Sequence, residues 1–262
     1  PPCQSFSVSN VHQRDDDPRH DLPGHYARIL RLFHDGLGLD FFLFENVPGL
    51  LTKKHWPRFQ AFVNECDEIG FNVSYEVLDA ADFGVPQFRE RVFVLGVRKE
   101  LCGGKHPGFP EGRLKPPTVW QTIGHLPPPV FHRRGMTPEE IPHHPNHWCL
   151  VPKSPKFTNG ALKPGEMIGR SFRVLEWDKP SWTVAYGHRE VHVHPNMKRR
   201  LSIYEAMLLQ GFPKDYVLKG TMSQQVELVS DAVPPPLARA LATHIASSLG
   251  LAAPEPVAAA GR

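Results

Sequence analysis

Three groups of residues could do chemistry together if the fold brings them to one place. The first is a cysteine pressed against two prolines at the start of the chain, Pro1-Pro2-Cys3-Gln4-Ser5-Phe6-Ser7. A thiolate is a strong nucleophile once an electropositive setting lowers its pKa from about 8.5. If Cys3 is that nucleophile, the sequence starts in the middle of an active site. The second is Glu45, directly after the apolar run Phe41-Phe42-Leu43-Phe44. A carboxyl where a buried strand ends stands where open sheets place catalytic groups, and burial would raise its pKa enough for it to serve as an acid. The third is Gln87-Phe88-Arg89-Glu90-Arg91, with Gln87, Arg89 and Arg91 at i, i+2 and i+4 and hence on one face of an extended segment. The first and the third have a plainer reading: a small buried cysteine, and a charged, solvated strand start.

The elements that must position these residues read as α/β over positions 1–100. Residues 25–35 carry Tyr26, Ile29, Leu30 and Phe33 at helical spacing. The run 41–44 is a short strand of the fully apolar kind found in parallel sheets. Trp56, Phe59, Val63, Cys66 and Ile69 form the stripe of a second helix ending at Gly70. Two further strands are predicted over 72–78 and 91–97. The texture then changes: 14 of the 28 prolines and six histidines fall within 101–186, which marks a loop-rich region. Regular structure returns with a capping box at Ser202-Ile203-Tyr204-Glu205 and with Leu237, Leu241, Ile245 and Leu249 at i+4 spacing before Gly250. Residues 252–262 read as a frayed tail.

Four motifs in order, PPCQSFS, Glu45-Asn46-Val47, QFRER, and the C-terminal pair RRLSIYEAMLLQGFPKDY with DAVPPPLARAL, make the chain resemble the DNA cytosine-5 methyltransferases over nearly its whole length. The resemblance implies a partial Rossmann-like, S-adenosylmethionine-dependent methyltransferase sheet lacking its N-terminal strands, with a small loop-rich target-recognition domain. It divides the chain into a catalytic part at 1–100, a target-recognition region at 101–198, C-terminal helices at 199–250 that return to the catalytic domain, and a tail at 251–262. The implied reaction moves a methyl group from S-adenosylmethionine to C5 of a flipped cytosine in double-stranded DNA. Carbon 5 is too weak a nucleophile until a thiolate adds at carbon 6, so Cys3 is the implied nucleophile. Glu45 would then act at N3, Arg91 at the base oxygen and at Glu45, and Arg89 in support of the cysteine.

The same resemblance puts Pro2, Leu22, Asp231 and Val233 at the cofactor. It puts Ser9, Arg19, Gln87 and Thr183 at DNA, with 7–24 as a closing loop and Arg170, Arg173 and Arg189 as candidate readers of guanine edges. The chain departs from the family in two ways. The glycine-rich turn and the acidic residues expected ahead of the PCQ loop are missing, and Asp231 stands where the family usually has asparagine. A truncated sequence, one subunit of a split enzyme whose second chain carries the cofactor half, and a decayed gene product all fit this pattern, the first best. A non-catalytic DNA-binding module is the alternative of another class. A transfer RNA methyltransferase is disfavoured by the long recognition region.

Composition bounds these readings. With 262 residues, 40% hydrophobic and 22% charged, the chain has the makeup of a globular protein. It lacks a long apolar run and a secretory pattern, and so reads as cytoplasmic. The formal charge of +3 is spread along the chain and demands no polyanion. Cys3, Cys66, Cys102 and Cys149 are too scattered for a disulfide framework. The cluster His143-His144-Pro145-Asn146-His147-Trp148-Cys149 fits no standard zinc spacing, so no metal is expected.

Overall fold

The computed structural model describes residue 6 and residues 16–103, 105–169, 171–183 and 191–251. Contacts divide the chain into two compact units. One comprises residues 1–79, 90–112 and 240–262, the other residues 80–89 and 113–239. The stretch 199–250 is shared between the two units, and the loop 80–89 joins the second.

In the first unit, helix α1 (Leu22–Leu37) leads into strand β1 (Phe41–Asn46), helix α2 (Trp56–Ile69), and strands β2 (Phe71–Asp79) and β3 (Glu90–Arg98). The sheet order is β1-β3-β2. Both pairings are antiparallel, with Phe41 opposite Val97 and Phe71 opposite Arg98. The apolar run at 41–44 therefore does not sit in a parallel ladder among the described residues. Its burial comes from helix packing: Phe42 and Phe44 join Ala27, Leu30, Phe59 and Phe62 in one core.

Helix α1 buries part of the predicted face, with Leu30 in the core and Tyr26 packed against it. Ala27 and Leu30 turn inward, whereas Ile29 and Phe33 remain 49% and 47% exposed. In α2 the predicted stripe is shifted by one member, since Phe59, Phe62, Cys66 and Ile69 are buried while Trp56 is 38% exposed. Gly70 ends α2 at φ 122°, a conformation closed to most side chains.

The second unit is built from short pieces. Helix α3 (Val119–Ile123) begins with a capping box at Thr118. Strands β4 (Val130–Phe131) and β5 (Trp148–Cys149) pair in parallel, and β6 (Met167–Ile168), β7 (Phe172–Val174) and β8 (His192–Val193) form a second small sheet. Helices α4 (Ile203–Leu209) and α5 (Met222–Asp231) follow, and helix α6 (Pro235–Ser248) begins in this unit and continues from residue 240 in the first. Helix α4 is buried at every residue and forms the centre of a core with Val119, Ile123, Trp148 and Leu175. Its entry is the predicted capping box: Glu205 N donates to Ser202 Oγ at 3.0 Å and Ser202 N donates to Glu205 Oε2 at 2.7 Å. No helix among the described residues is long and apolar enough to cross a membrane.

One glycine is indispensable to the sheet. Gly96 lies opposite Phe42, and a Cβ at Gly96 would overlap the Phe42 ring. Gly96→Ala forces that ring out of its rotamer and lowers stability by about 1–3 kcal/mol, read as a lower urea midpoint with an unchanged slope. A midpoint equal to that of the parent would show that the ring has room to move.

Candidate active site

Glu45 is the penultimate residue of β1 and lies opposite Phe93 on β3. Two residues earlier on β3, Arg91 reaches back along the sheet, and its Nε lies 3.0 Å from Glu45 Oε1. The Arg91 side chain is 14% exposed and that of Glu45 30%. The pair is thus partly withdrawn from water, where a charge-assisted contact is worth more than on an open surface. Glu45 is not sealed in an apolar setting as expected; it faces a guanidinium and retains access to solvent. Arg91 Nη1 also donates to Glu90 O at 2.7 Å, which fixes the plane of the fork. Asn46 is fully buried, and its Oδ1 accepts from Val47 N at 2.9 Å, holding the turn that leaves β1.

Gln87 and Arg89 belong to the other unit and are committed differently. Gln87 is fully buried, and its Nε2 donates to Leu209 O at 3.2 Å and Gln210 Oε1 at 2.8 Å. The side chain that the resemblance puts at DNA is thus enclosed in this structure and committed to Leu209 and Gln210. Gln210 passes the chain of bonds on, with Nε2 donating to Ala232 O at 2.7 Å. Arg89 is also buried and donates from Nη2 to Ser230 O at 2.6 Å. The QFRER loop is thereby tied to the Ser230-Asp231-Ala232 segment. Thr183 is half-buried, and its Oγ1 donates to Phe88 O at 2.7 Å.

The remaining expected residues are dispersed. Cys3, Pro2 and Ser9 lie outside the described residues, as do Arg170 and Arg189. Phe6, three residues after Cys3, is fully buried against His55 and His20, with ring centroids at 5.0 and 5.5 Å. Arg19 pairs with Asp17 at 2.6 Å, and its hydrogen bonds hold the Asp17 carboxyl down to about 2. Leu22 opens α1 half-buried. Asp231 ends α5 exposed, on the wall of a cavity of about 790 Å³ shared with Phe212, Tyr216, Glu227 and Leu228. Val233 is half-buried two residues on, and Arg173 sits in β7 between β6 and β8.

Among the described cysteines, Cys66 and Cys149 are unsuited to be nucleophiles. Burial pushes each thiol up to about 12, leaving almost no thiolate at neutral pH. The histidine cluster is structural: His147 Nε2 donates to Pro127 O at 2.7 Å, its Nδ1 lies 2.9 Å from Ser202 Oγ, and His144 stacks on Tyr204 at 4.0 Å. Among the described residues no three His, Cys, Asp or Glu side chains are grouped to hold a metal ion.

Sequence reading missed the most enclosed ion pair. Arg199 grips Glu205 with two bonds of 2.7 Å, and His194 Nε2 lies 3.8 Å away. The signal was present, since Arg199-Arg200 immediately precedes the capping box, but a buried partner cannot be read from charge alone. It also missed Arg200, whose guanidinium lies 4.7 Å from the Phe172 ring and 5.8 Å from Phe157, on a cavity of about 570 Å³ that includes His132 and Lys153.

A family model of C-5 cytosine-specific DNA methylase matches residues 1–247. The chain belongs to that family. It is 34% identical over 272 residues to the type II methyltransferase M.MthTI of Methanothermobacter thermautotrophicus, an alignment spanning 95% of this chain and 77% of that protein. It is 33% identical to M1.HphI of Haemophilus parahaemolyticus over 94% of this chain and 66% of the relative. Among solved structures, a candidate DNA modification methyltransferase encoded within an E. coli prophage superposes with a TM-score of 0.73 at 22% identity, covering 95% and 78% of the two chains. A Spodoptera frugiperda DNMT2 mutant gives 0.55 at 18% identity, over 95% of this chain and 77% of that one. The fold is therefore that of the mixed α/β methyltransferases, and the family is a DNA (cytosine-5) methyltransferase family that uses S-adenosylmethionine.

The Arg199–Glu205 pair and its histidines set a pH dependence. Burial holds His144, His147 and His194 below their ordinary value of 6.5, hence neutral in the fold. Burial alone would raise Glu205, but the Arg199 bonds and charge outweigh it and bring the carboxyl below its ordinary 4.5. Unfolding therefore takes up protons below about pH 6.5 at the histidines and below about pH 4.5 at Glu205, so stability falls across both windows on acidification. Arg199→Met should cost about 3–5 kcal/mol at pH 7 by stranding the Glu205 charge, and the loss should shrink below pH 4.5. Urea unfolding from pH 4 to 8 measures both; a loss independent of pH would refute the pairing.

Proposed function

We propose that this chain transfers the methyl group of S-adenosylmethionine to C5 of a cytosine extruded from double-stranded DNA, through a covalent Cys3 adduct. The observation that carries this reading is the Arg91–Glu45 pair, 3.0 Å apart on neighbouring strands. It sets a cation and a carboxyl side by side, as the charge of an attacked pyrimidine requires. In the proposed sequence the Cys3 thiolate adds at C6, the electron pair moves into the ring, Arg91 donates a hydrogen bond at O2, and the protonated Glu45 carboxyl passes its proton to N3, taking it back when the adduct resolves. When bound, S-adenosylmethionine supplies an electrophilic methyl group to the C5 nucleophile. Loss of the C5 proton then expels the thiolate and restores the ring.

Arg89, fixed by Ser230, acts as a positioning residue for the cysteine side of the site. The cofactor residues are Pro2, Leu22, Asp231 and Val233. Of these four, Asp231 lines a cavity whose chemistry suits part of the group: Asp231 and Glu227 offer acceptors for hydroxyl and ammonium groups, and Phe212 and Tyr216 offer aromatic faces. At the DNA, Ser9 would enter the vacated stack, Arg19 would hold a phosphate and Thr183 would anchor the recognition region at 101–198 on the backbone. Gln87 would act there only indirectly, through the loop that it holds.

The test is methyl transfer from labelled S-adenosylmethionine into mixed-sequence duplex DNA. Cys3→Ser should abolish it, and Glu45→Gln should lower it by about 10²-fold or more. A duplex carrying 5-fluorocytosine lacks the proton that must leave, so it should trap the parent chain covalently and leave Cys3→Ser free. Addition of a fragment carrying a glycine-rich cofactor half shows in the same assay whether a second chain is required. Trapping by Cys3→Ser equal to that by the parent would overturn the assignment of the nucleophile.

A further inference from the structure

Phe88 is the apolar member of the QFRER segment. Its neighbours along the chain, Gln87 and Arg89, turn inward and are buried, so an extended backbone directs Phe88 to the opposite side. There the residue stays 47% exposed. A single exposed phenylalanine is ordinary in itself; the way this one is held is not. Ser181 N donates to Pro86 O at 2.9 Å, Phe88 N donates to Ser181 O at 2.9 Å, and Thr183 Oγ1 donates to Phe88 O at 2.7 Å. These bonds make a short parallel bridge between Gln87 and Ser181. Both backbone polar groups of Phe88 are therefore fixed, and the tethered side chains on either side prevent the segment from rotating. The ring cannot turn inward without breaking several buried hydrogen bonds, each costly to leave unmade. Two comparably exposed aromatics of the same unit lean on other rings: Trp120 on Trp177 at 5.1 Å and Tyr216 on Phe212 at 5.3 Å. Phe88 has no such ring neighbour among the described residues.

We infer that Phe88 is a DNA-contacting residue that packs its ring against the base stack of the duplex where the target cytosine leaves it. The inference rests on the base-extrusion reading proposed above and adds a residue to it. Extruding one nucleotide exposes the faces of its neighbours to water at a cost of a few kcal/mol. A rigid aromatic ring recovers part of that cost, and it does so without regard to sequence, because every base presents a π face. Phe88 fits this role by being apolar, pre-oriented and joined through one backbone carbonyl to Thr183. It stabilises the opened duplex and leaves the choice of site to other residues. Its contribution is therefore larger on duplex, where the bases flanking the vacated position are held in register against the ring, than on a single strand, whose bases pay an ordering cost to meet it.

The experiment compares Phe88→Ala, Phe88→Trp and the parent chain for binding of a fluorescent mixed-sequence duplex and of its separated strand, with thermal unfolding as the check on folding. Phe88→Ala should weaken duplex binding by about tenfold or more and single-strand binding by less than about twofold. Its melting temperature should not change, and Phe88→Trp should bind duplex as the parent does. Equal duplex affinity for Phe88→Ala and parent overturns the inference while leaving the methyltransferase reading intact. So does an equal loss on both forms of DNA, which would mark a stacking contact indifferent to the opened duplex, and so does a lowered melting temperature, which would mark a structural role. A parent chain that binds no duplex and transfers no methyl group overturns the methyltransferase reading and this inference together.

Discussion

The Gln87 carboxamide, shut away from solvent, must find hydrogen-bond acceptors inside the protein, and it finds them at Leu209 and Gln210, more than a hundred residues later. A buried donor without a partner would cost about 1–3 kcal/mol, so the loop at 80–89 and the end of α4 are bound to form together. Gln210 carries the link to Ala232, and Arg89 adds a second tie at Ser230. What the QFRER segment presents follows from this arrangement: two side chains turned in, one ring turned out, and β3 beginning immediately afterwards. Long-range bonds of this kind are slow to form but fix geometry closely once made.

Much of this architecture was legible in the sequence, and what was not has physical causes. The Ser202 capping box could be read because its two bonds are local, both partners lying within four residues. The strands around 72–78 and 91–97 could be read because β-branched and aromatic residues cluster there. The full buried face of α1 could not: Ile29 and Phe33 are as apolar as Leu30, and only the position of β1 and α2 decides which of them is covered. Strand direction was equally hidden, because an apolar run reports burial and not the direction of its neighbour.

The candidate site divides in the same way. The residue types and spacing of Glu45 and Arg91 were visible, and the structure brings them to 3.0 Å. The burial of Gln87 was not visible, because a glutamine reads as a surface residue until its partners are known. The same holds for Glu205, whose acceptance of Arg199 and of the Ser202 N–H makes a fully enclosed charge tolerable. The proline-rich stretch at 101–186 gave least, since its short strands and stacked rings, such as His144 on Tyr204, depend on contacts that have no periodicity.

The depth at which Cys66 and Cys149 are buried has a consequence for oxidative chemistry. Oxidation to sulfenic acid and beyond begins from the thiolate and needs access, and both are denied where burial holds a thiol at about 12. Cys102, half-buried, points its thiol at the carbonyls of Val97 and Arg98, each at 3.4 Å, and is the more accessible of the three described cysteines. Among the described cysteines, a mild oxidant that leaves the fold intact therefore meets Cys102 first and leaves the core thiols alone.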